Sequence, residues 1–395
     1  MPSQAANLRG IVLRLPIETW NSIFSSLCQQ TEEEDATRDL LSLSRTCSAF
    51  QFEAEPIIYR HVRLMDGPAQ LLTFASAVAR YAHRAEAVRS LYLWHPEDDP
   101  DRIDEEVIKD ILQRLPNLKS LHVGDCLEDP YGVLIHSPFR LHSFEMDGDA
   151  FVCLHSEERC RMSRIQGCSE KDITSVRCEF LSELTTLTLM EISPSLPDAL
   201  LKYSMPYNIT HLNIVFSFEC EDRSSLHPFA EQLVSLRVYP APRPRATLST
   251  RFPIMASHPW PTMLVMDHVF PRLKYLELDE DKYYQLRTDF SVQAPFLTER
   301  WRSSCPAIQT FVWRPALVYY PFARQSEWYR GAVRDFTEQL FREWTTLQRF
   351  ERTRLKLTGI ADEEAYYSYV AYTRTEDGSV ITVPAEYDED LWHRV

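Results

Sequence analysis

The chain has 395 residues, of which 44% are hydrophobic and 25% charged, and its formal net charge is −15. This composition is typical of a folded protein with a large core and excludes wholesale disorder. Its 57 acidic residues outnumber its 42 basic ones. Because nucleic acid and anionic lipid both require clustered Lys and Arg, we expect neither nucleic-acid nor membrane binding.

Short catalytic and metal-binding motifs are absent from the sequence. No two of the nine glycines lie closer than Gly124 and Gly132, so glycine-rich phosphate loops and the nucleophile elbow cannot occur. The nine cysteines are dispersed, and the nearest pair, Cys153 and Cys160, is too widely spaced for a C-x-x-C motif. We expect free thiols in a reducing compartment, no metal and no organic cofactor.

Targeting signals are not evident either. The first ten residues are polar and contain no basic segment followed by an apolar one, so we expect no secretory leader. No apolar run approaches the 18 or so residues that a membrane-spanning helix needs. The expected location is the cytoplasm or the nucleus.

The segment Ile11–Leu64 predicts a small helical domain over residues 1–65, with three short helices followed by an extended segment. The first helix opens at Pro16, where the missing N–H of proline costs nothing. We expect the acidic segment Thr31–Thr37 to form a solvated loop before the second helix, and Pro56 to end the third. Such a unit buries little area and usually needs a partner.

This segment resembles the F-box motif, particularly the F-box-like domains of fungal proteins. The resemblance covers about fifty residues, and its anchors agree in order and spacing. The matching residues are Leu15, Pro16, Glu18, Ile23, Phe24, Leu27, Leu40, Leu43, Ser44, Cys47, Phe50, Ala54, Pro56, Tyr59 and Val62. The acidic segment between the first two helices departs from the family pattern.

The resemblance implies that the chain binds the Skp adaptor of a cullin-based (SCF) ubiquitin ligase through its N-terminal helices. The rest of such a protein selects the target for ubiquitin-dependent degradation. The residues that would face the adaptor are Leu15, Pro16, Glu18, Ile23, Phe24, Leu27, Leu40 and Leu43. The alternative is that the same apolar side chains pack within the chain.

A recurring unit follows over residues 66–395, with an apolar residue, two variable ones, an apolar residue, one variable and a third apolar residue. The instances are Val88-Leu91-Leu93, Leu118-Leu121-Val123, Leu141-Phe144-Met146, Leu184-Leu187-Leu189, Ile209-Leu212-Ile214, Leu233-Leu236-Val238, Leu273-Leu276-Leu278 and Ile308-Phe311-Trp313, with a ninth that begins at Leu347-Phe350 and breaks at Arg352. Ser or Thr stands before the second apolar residue in six units. Amphipathic helices are predicted at residues 104–115 and 327–347.

A helix that leads into a short strand, repeated along the chain, is the leucine-rich-repeat arrangement. The intervals are irregular, so the chain resembles the degenerate repeats often found behind F-boxes. The predicted fold class is α/β, with the helical domain followed by an irregular repeat array whose strands form a parallel concave sheet. An ordinary α/β domain is the alternative, because its strands would show the same alternation.

Three segments interrupt or end the array. Residues 151–180 form a polar insertion with four cysteines, and the proline-rich stretch 239–262 is either a recognition loop or an inert linker. Residues 366–383 alternate apolar and polar around Asp377-Gly378, which predicts a hairpin that covers the last strand edge.

The residues between the last two apolar positions of each unit should point away from the core. These residues are Tyr92, His122, Glu145, Thr188, Asn213, Arg237, Glu277, Val312 and Glu351. Because aromatic residues and Arg are the usual interface anchors, we expect target binding to centre on a subset of this column and its rim. That subset is Tyr92, Trp94, His122, Arg237, Tyr239, Glu277 and Arg314.

Three functions remain open on the sequence alone. The first is a non-catalytic target receptor that binds the Skp adaptor, and through it the cullin scaffold. The second is an interaction scaffold that uses the same array without ubiquitination. The third is an enzyme whose active site lacks a short motif. The identity of the target protein is not encoded in any pattern found here.

Overall fold

The computed structural model describes residues 33–65, 67–94, 105–124, 129–155, 178–192, 207–216, 229–240, 268–279, 301–314, 327–356, 366–385 and 391–394, together with single residues between them. The chain divides into two compact units. The first comprises Met1–His142 with Glu179–Ser182, and the second comprises Ser143–Cys178 with Glu183–Val395. The N-terminal helices thus share a unit with the first strands, and the domain boundary expected at residue 65 stays a prediction.

The described elements of the first unit are six α-helices, three strands and the 3₁₀ helix Glu179–Leu181. The α-helices and strands are α1 (Glu33–Ser44), α2 (Ser48–Ile58), β1 (His61–Leu64), α3 (Pro68–Arg80), α4 (Ala82–Ala87), β2 (Ser90–Leu93), α5 (Glu105–Gln113), β3 (Ser120–Val123) and α6 (Pro130–Leu134). The strands are parallel and pair in chain order, with Leu91 beside Leu121. Helix α5 buries Ile108, Ile111 and Leu112 on one face, which confirms the amphipathic helix predicted there.

Two expectations about the N-terminal helices are wrong. The acidic segment is not a loop beyond residue 32, because α1 begins at Glu33. Carboxylates are favoured in a first helical turn by the helix dipole, so this charge suits a helix start. Pro56 also fails to end the third predicted helix and lies inside α2. Only the last turn follows it, where Tyr59 N–H still donates to the Glu55 carbonyl at 2.9 Å, so the proline removes a single donor.

The second unit contributes the remaining nine strands. They are β4 (Ser143–Asp147), β5 (Thr186–Ile192), β6 (His211–Phe216), β7 (Ser235–Pro240), β8 (Tyr275–Asp279), β9 (Thr310–Arg314), β10 (Arg349–Lys356), β11 (Tyr366–Arg374) and β12 (Val380–Ala385). Strands β4 to β10 are parallel and pair in chain order, and β11 and β12 continue antiparallel. Helix α7 (Glu327–Glu343) precedes β10.

The middle apolar residue of each repeat unit lies in one buried ladder across these strands. The ladder is Phe144, Leu187, Leu212, Leu236, Leu276, Phe311 and Phe350, each 0% exposed. The strand positions and the register predicted from the pattern are therefore confirmed. The ninth unit does not break at Arg352, because β10 continues to Lys356, paired with β11.

Aromatic side chains fill the core beside α7. Trp301 stacks on Trp344 with ring centroids 6.4 Å apart, and Phe311 and Phe336 meet these rings edge-on or tilted. Edge-to-face contacts of this kind add to the free energy of simple area burial.

The ends of the insertion expected at 151–180 are not polar loop, because Phe151, Leu154 and Phe180 are buried. Residues 156–177 of that insertion lie outside the described residues.

The predicted C-terminal hairpin is confirmed. Strands β11 and β12 are joined by a tight turn in which Gly378 has a φ of 84°, a conformation that glycine adopts without strain. Strand β11 pairs with β10 and so covers the edge of the last parallel strand. Arg374 extends from β11 and donates to the carbonyl oxygens of Phe341, Trp344 and Leu347, which end α7 and the turn after it.

Candidate protein-interaction surfaces

The N-terminal helices expose apolar side chains that differ in part from those predicted to face an adaptor. Leu40 is buried against Ala54, and Leu43 packs on the same small cluster. Ile23 is 39% exposed, and the two large apolar side chains that α1 and α2 present most openly are Leu41, 40% exposed, and Phe52, 66% exposed. Five predicted adaptor-facing residues, Leu15, Pro16, Glu18, Phe24 and Leu27, lie outside the described residues.

A buried carboxylate joins α2 to α4. Glu55 accepts hydrogen bonds from Arg84 Nη2 at 2.6 Å and Nε at 3.0 Å, from Gln51 Nε2 at 2.7 Å, and contacts His83 Nε2 at 2.6 Å. Hydrogen bonds, chiefly from Arg84 and to a lesser extent from His83 and Gln51, together lower the pKa of the Glu55 carboxyl to about 2 against the opposing effect of burial. The Arg84 guanidinium also lies 4.1 Å from the ring centroid of Tyr81. This network holds the N-terminal helices against the repeat region of the first unit.

Three predicted target-binding residues form an aromatic patch on β2 and β3. The rings of Tyr92 and His122 stack with centroids 3.7 Å apart, and both side chains are half-buried. Trp94 follows β2 and is 40% exposed. It lies over Gly124, where an added Cβ would come within 3.0 Å of Trp94 Cδ1. Alternation along the strands predicted the positions of Tyr92 and His122. It could not predict that the Trp94 ring needs a residue without a Cβ at position 124.

The predicted anchors of the second unit lie on a different kind of surface. We call it the alternate face, the side of β6 to β9 opposite the apolar ladder. Its described side chains are His211, Asn213, Val215, Ser235, Arg237, Tyr239, Tyr275, Glu277, Asp279, Thr310 and Val312. Arg237 Nε donates to Tyr239 Oη at 2.8 Å and to Glu277 Oε2 at 3.0 Å, and Tyr275 donates to the same carboxylate at 2.8 Å.

A short segment of the same chain covers part of this face. The 3₁₀ turn Leu391–His393 places the buried ring of Trp392 against Tyr275 and Val312. The Arg237 guanidinium lies 5.2 Å from the Trp392 ring centroid, and the His211 ring meets Trp392 edge-on at 5.9 Å. Glu277, which was predicted to face a target, is 0% exposed in this arrangement. Arg314 is the last residue of β9, and the structure describes its backbone but not its side chain.

The histidine and thiol groups near the cysteine-rich insertion have structural roles. His155 Nδ1 donates to the Phe151 carbonyl at 2.9 Å, and its Nε2 lies 2.8 Å from Tyr207 Oη, which also accepts from Cys178 N–H at 3.1 Å. In the part of the chain that the structure describes, no three His, Cys, Asp or Glu side chains group closely enough to hold a metal ion. Burial raises the pKa of the Cys305 thiol, so this group is a poor nucleophile.

Comparison with known proteins gives no identification. No protein-family model matches the chain, and no curated protein is significantly similar to it. Within the described ranges, every helix is too short or too polar to cross a bilayer.

Sequence reasoning missed the Leu391–His393 segment. Its one signal is an apolar and aromatic pair, Leu391-Trp392, directly after the acidic run Glu386–Asp390. A single pair has no period, so the search for alternation could not find it.

Proposed function

We propose that this protein is the target-recognition subunit of a cullin-type ubiquitin ligase. In this proposal the N-terminal helices bind the Skp adaptor, and the strand array binds a target protein. The proposal rests first on the ordered anchors between Leu15 and Val62 that resemble an F-box. The cytoplasm or the nucleus, where such ligases act, is the proposed compartment.

The observation that carries the proposal is the pair of exposed apolar side chains on α1 and α2. Leu41 and Phe52 remain open to solvent although these helices have a core of their own around Leu40 and Ala54. Exposed large apolar groups next to a small core favour a protein partner. The Glu55–Arg84 network supports the same role, because it would hold α2 rigidly against α4 while a partner binds the helices.

We further propose that the strands belong to a degenerate leucine-rich-repeat array. Parallel strands that pair in chain order, with a common ladder of apolar residues, support this interpretation over an ordinary α/β domain. In doubly wound α/β domains the strand order departs from chain order, whereas a repeat array stacks each unit on the preceding one. The array would serve to present side chains and needs no catalytic group.

The test is co-purification of the full chain with a Skp adaptor and a cullin. Phe52→Glu and Leu41→Glu should each abolish capture, because a carboxylate would be buried without a partner in the interface. Leu72→Glu on α3 is the matched control, since Leu72 is 56% exposed and lies outside the matched motif. Leu15→Ala with Pro16→Ala should also abolish capture.

Circular dichroism and melting temperature must show that each variant remains folded. Capture of the adaptor by Phe52→Glu at the wild-type level would overturn the proposed interface. Failure of the wild-type chain to capture any adaptor would favour a scaffold without ubiquitination.

A further inference from the structure

The alternate face of the second unit already holds a peptide, the Leu391–His393 segment of the same chain. Trp392 is the principal anchor, since it is buried between Tyr275 and Val312 and lies below the Arg237 guanidinium. His393 adds a contact, with its ring stacked 6.2 Å from that of His211. A guanidinium over an indole is a favourable cation–π arrangement.

The segment is held differently from the strands around it. The backbone hydrogen bond described within it is local, from Arg394 N–H to the Leu391 carbonyl at 3.3 Å. The described contacts of the segment with the face are made by side chains of a single 3₁₀ turn, whereas each neighbouring strand is secured by a ladder of backbone bonds. A segment fixed by one aromatic anchor can exchange with a similar peptide without disturbing the sheet.

The face also has polar capacity that the segment does not use. Ser235 Oγ and Asn213 Oδ1 are buried, and neither has a hydrogen-bond partner among the residues that the structure describes. They lie on β7 and β6, on the same face as Arg237. Buried polar groups of this kind are usually satisfied in the functional state. An extended peptide backbone could supply the missing donors.

The sequence around the anchor indicates which peptides the face would accept. It reads Glu-Tyr-Asp-Glu-Asp-Leu-Trp-His, and Leu391-Trp392 is its apolar part. On the face, the Arg237 guanidinium is paired with the Glu277 carboxylate, which also accepts a hydrogen bond from Tyr275. The aromatic anchor, rather than a net charge of the face, therefore determines what can bind there.

We propose that the alternate face of β6 to β9 is a docking site for peptides that contain a Leu-Trp pair, and that Leu391–His393 is a built-in occupant with which such a partner competes. This inference adds a target chemistry to the proposed function. It is measured without adaptor or cullin, so the two proposals can fail separately.

The experiment uses a fluorescent peptide of residues 386–395, EYDEDLWHRV, and fluorescence anisotropy with the full chain. The variant Trp392→Ala, whose face is vacated, should bind the peptide at least tenfold more tightly than the wild type. Trp392→Phe should give an intermediate affinity. A peptide with Ala in place of Trp should bind at least tenfold more weakly.

Localisation uses the same peptide with benzoylphenylalanine at the Trp position. Photo-crosslinks to the Trp392→Ala chain should fall on β6, β7, β8 or β9. The matched control is Leu72→Ala, which removes an exposed apolar side chain from the other unit and should leave peptide binding at the wild-type level.

Three results would overturn the docking site. They are equal binding of the Trp and Ala peptides, crosslinks outside these four strands, and no gain in affinity for either Trp392 variant. If Trp392→Ala does not fold, the comparison of Trp392→Phe with the wild type decides the matter, because it keeps an aromatic ring in place. Adaptor capture by Trp392→Phe should be unchanged in every case.

Discussion

At the scale of single residues, two buried carboxylates carry most of the specific electrostatics described above. Glu55 and Glu277 are each surrounded by an arginine and a second hydrogen-bonding side chain. A buried charge is tolerated only when it is paired and hydrogen-bonded, so each carboxylate makes its partners obligatory. Removing either member should cost far more than a surface ion pair would.

The first prediction concerns Glu55. Its pKa falls from 4.5 to about 2 on folding, which corresponds to about 3 kcal/mol of stability at neutral pH. Because the folded pKa is the lower one, this stability is complete above pH 4.5 and is lost as the pH falls toward 2. Glu55→Gln should lower the melting temperature at pH 7 by several degrees and flatten the loss of stability between pH 4.5 and 2. Melting curves across this range are the measurement.

The control for Glu55 is Glu106→Gln on α5, whose carboxylate is exposed and pairs with Lys109 on the same helix. Exposed pairs of this kind contribute little, so its melting temperature should change by less than a degree. An equal pH dependence in Glu55→Gln and the wild type would mean that the Arg84 network does not persist in solution.

The second prediction concerns the ion pair of Arg237 with Glu277. Arg237→Ala leaves a fully buried carboxylate with the Tyr275 hydroxyl, and we expect a loss of about 3 kcal/mol. Glu277→Gln in the same chain should recover part of that loss, because the amide carries no charge to desolvate. Denaturant titration of the two single variants and the double variant gives the coupling. Strict additivity would show that the pair is not formed.

At the scale of elements, the apolar ladder explains why strand positions and register could be predicted. Every unit repeats the same spacing, and parallel neighbours align identical positions, so Leu212, Leu236 and Leu276 must share a face. Helix ends were predicted less well. The acidic segment was expected to be a loop but contains the start of α1, and α2 continues for two residues beyond Pro56. The hairpin at Gly378 was predictable because its turn chemistry is local.

The third prediction concerns the joint between α7 and the hairpin. Arg374 donates to three carbonyl oxygens at the end of α7 and in the following turn. The helix dipole also favours a cation at this end of a helix. Arg374→Ala should therefore cost about 2 kcal/mol. Arg342→Ala, an exposed arginine in the last turn of α7, is the control and should cost less than about 1 kcal/mol. Equal losses would indicate that Arg374 acts only as a general positive charge.

At the scale of the whole molecule, the sequence could not predict that the segment Leu391–His393 covers part of the alternate face. Alternation correctly assigned Glu277 and Val312 to the side opposite the ladder, yet both are buried. Trp392, which packs against Val312, is more than a hundred residues away from Glu277 in the chain. No periodic signal links a three-residue segment to a distant sheet, so only the three-dimensional arrangement reveals that the predicted surface is occupied.

The last prediction concerns the pH dependence of that coverage. Burial lowers the pKa of His211 below 6.5, and the neighbouring His393 lowers it further. Arg237 on β7 also lies against the same indole, so a second positive charge would be unfavourable there. Because the docked state favours the neutral imidazole, docking is fully stable above pH 6.5 and weakens as the pH falls below it.

The indole N–H signal of Trp392 in NMR spectra, assigned by its absence in Trp392→Phe, should therefore exchange faster with solvent at pH 5.5 than at pH 7.5, after correction for intrinsic exchange. His211→Asn, which keeps an acceptor or donor near Thr210 Oγ1 but cannot titrate, should reduce that difference. The same pH response in the wild type and in His211→Asn would assign the effect to His393 or to another group.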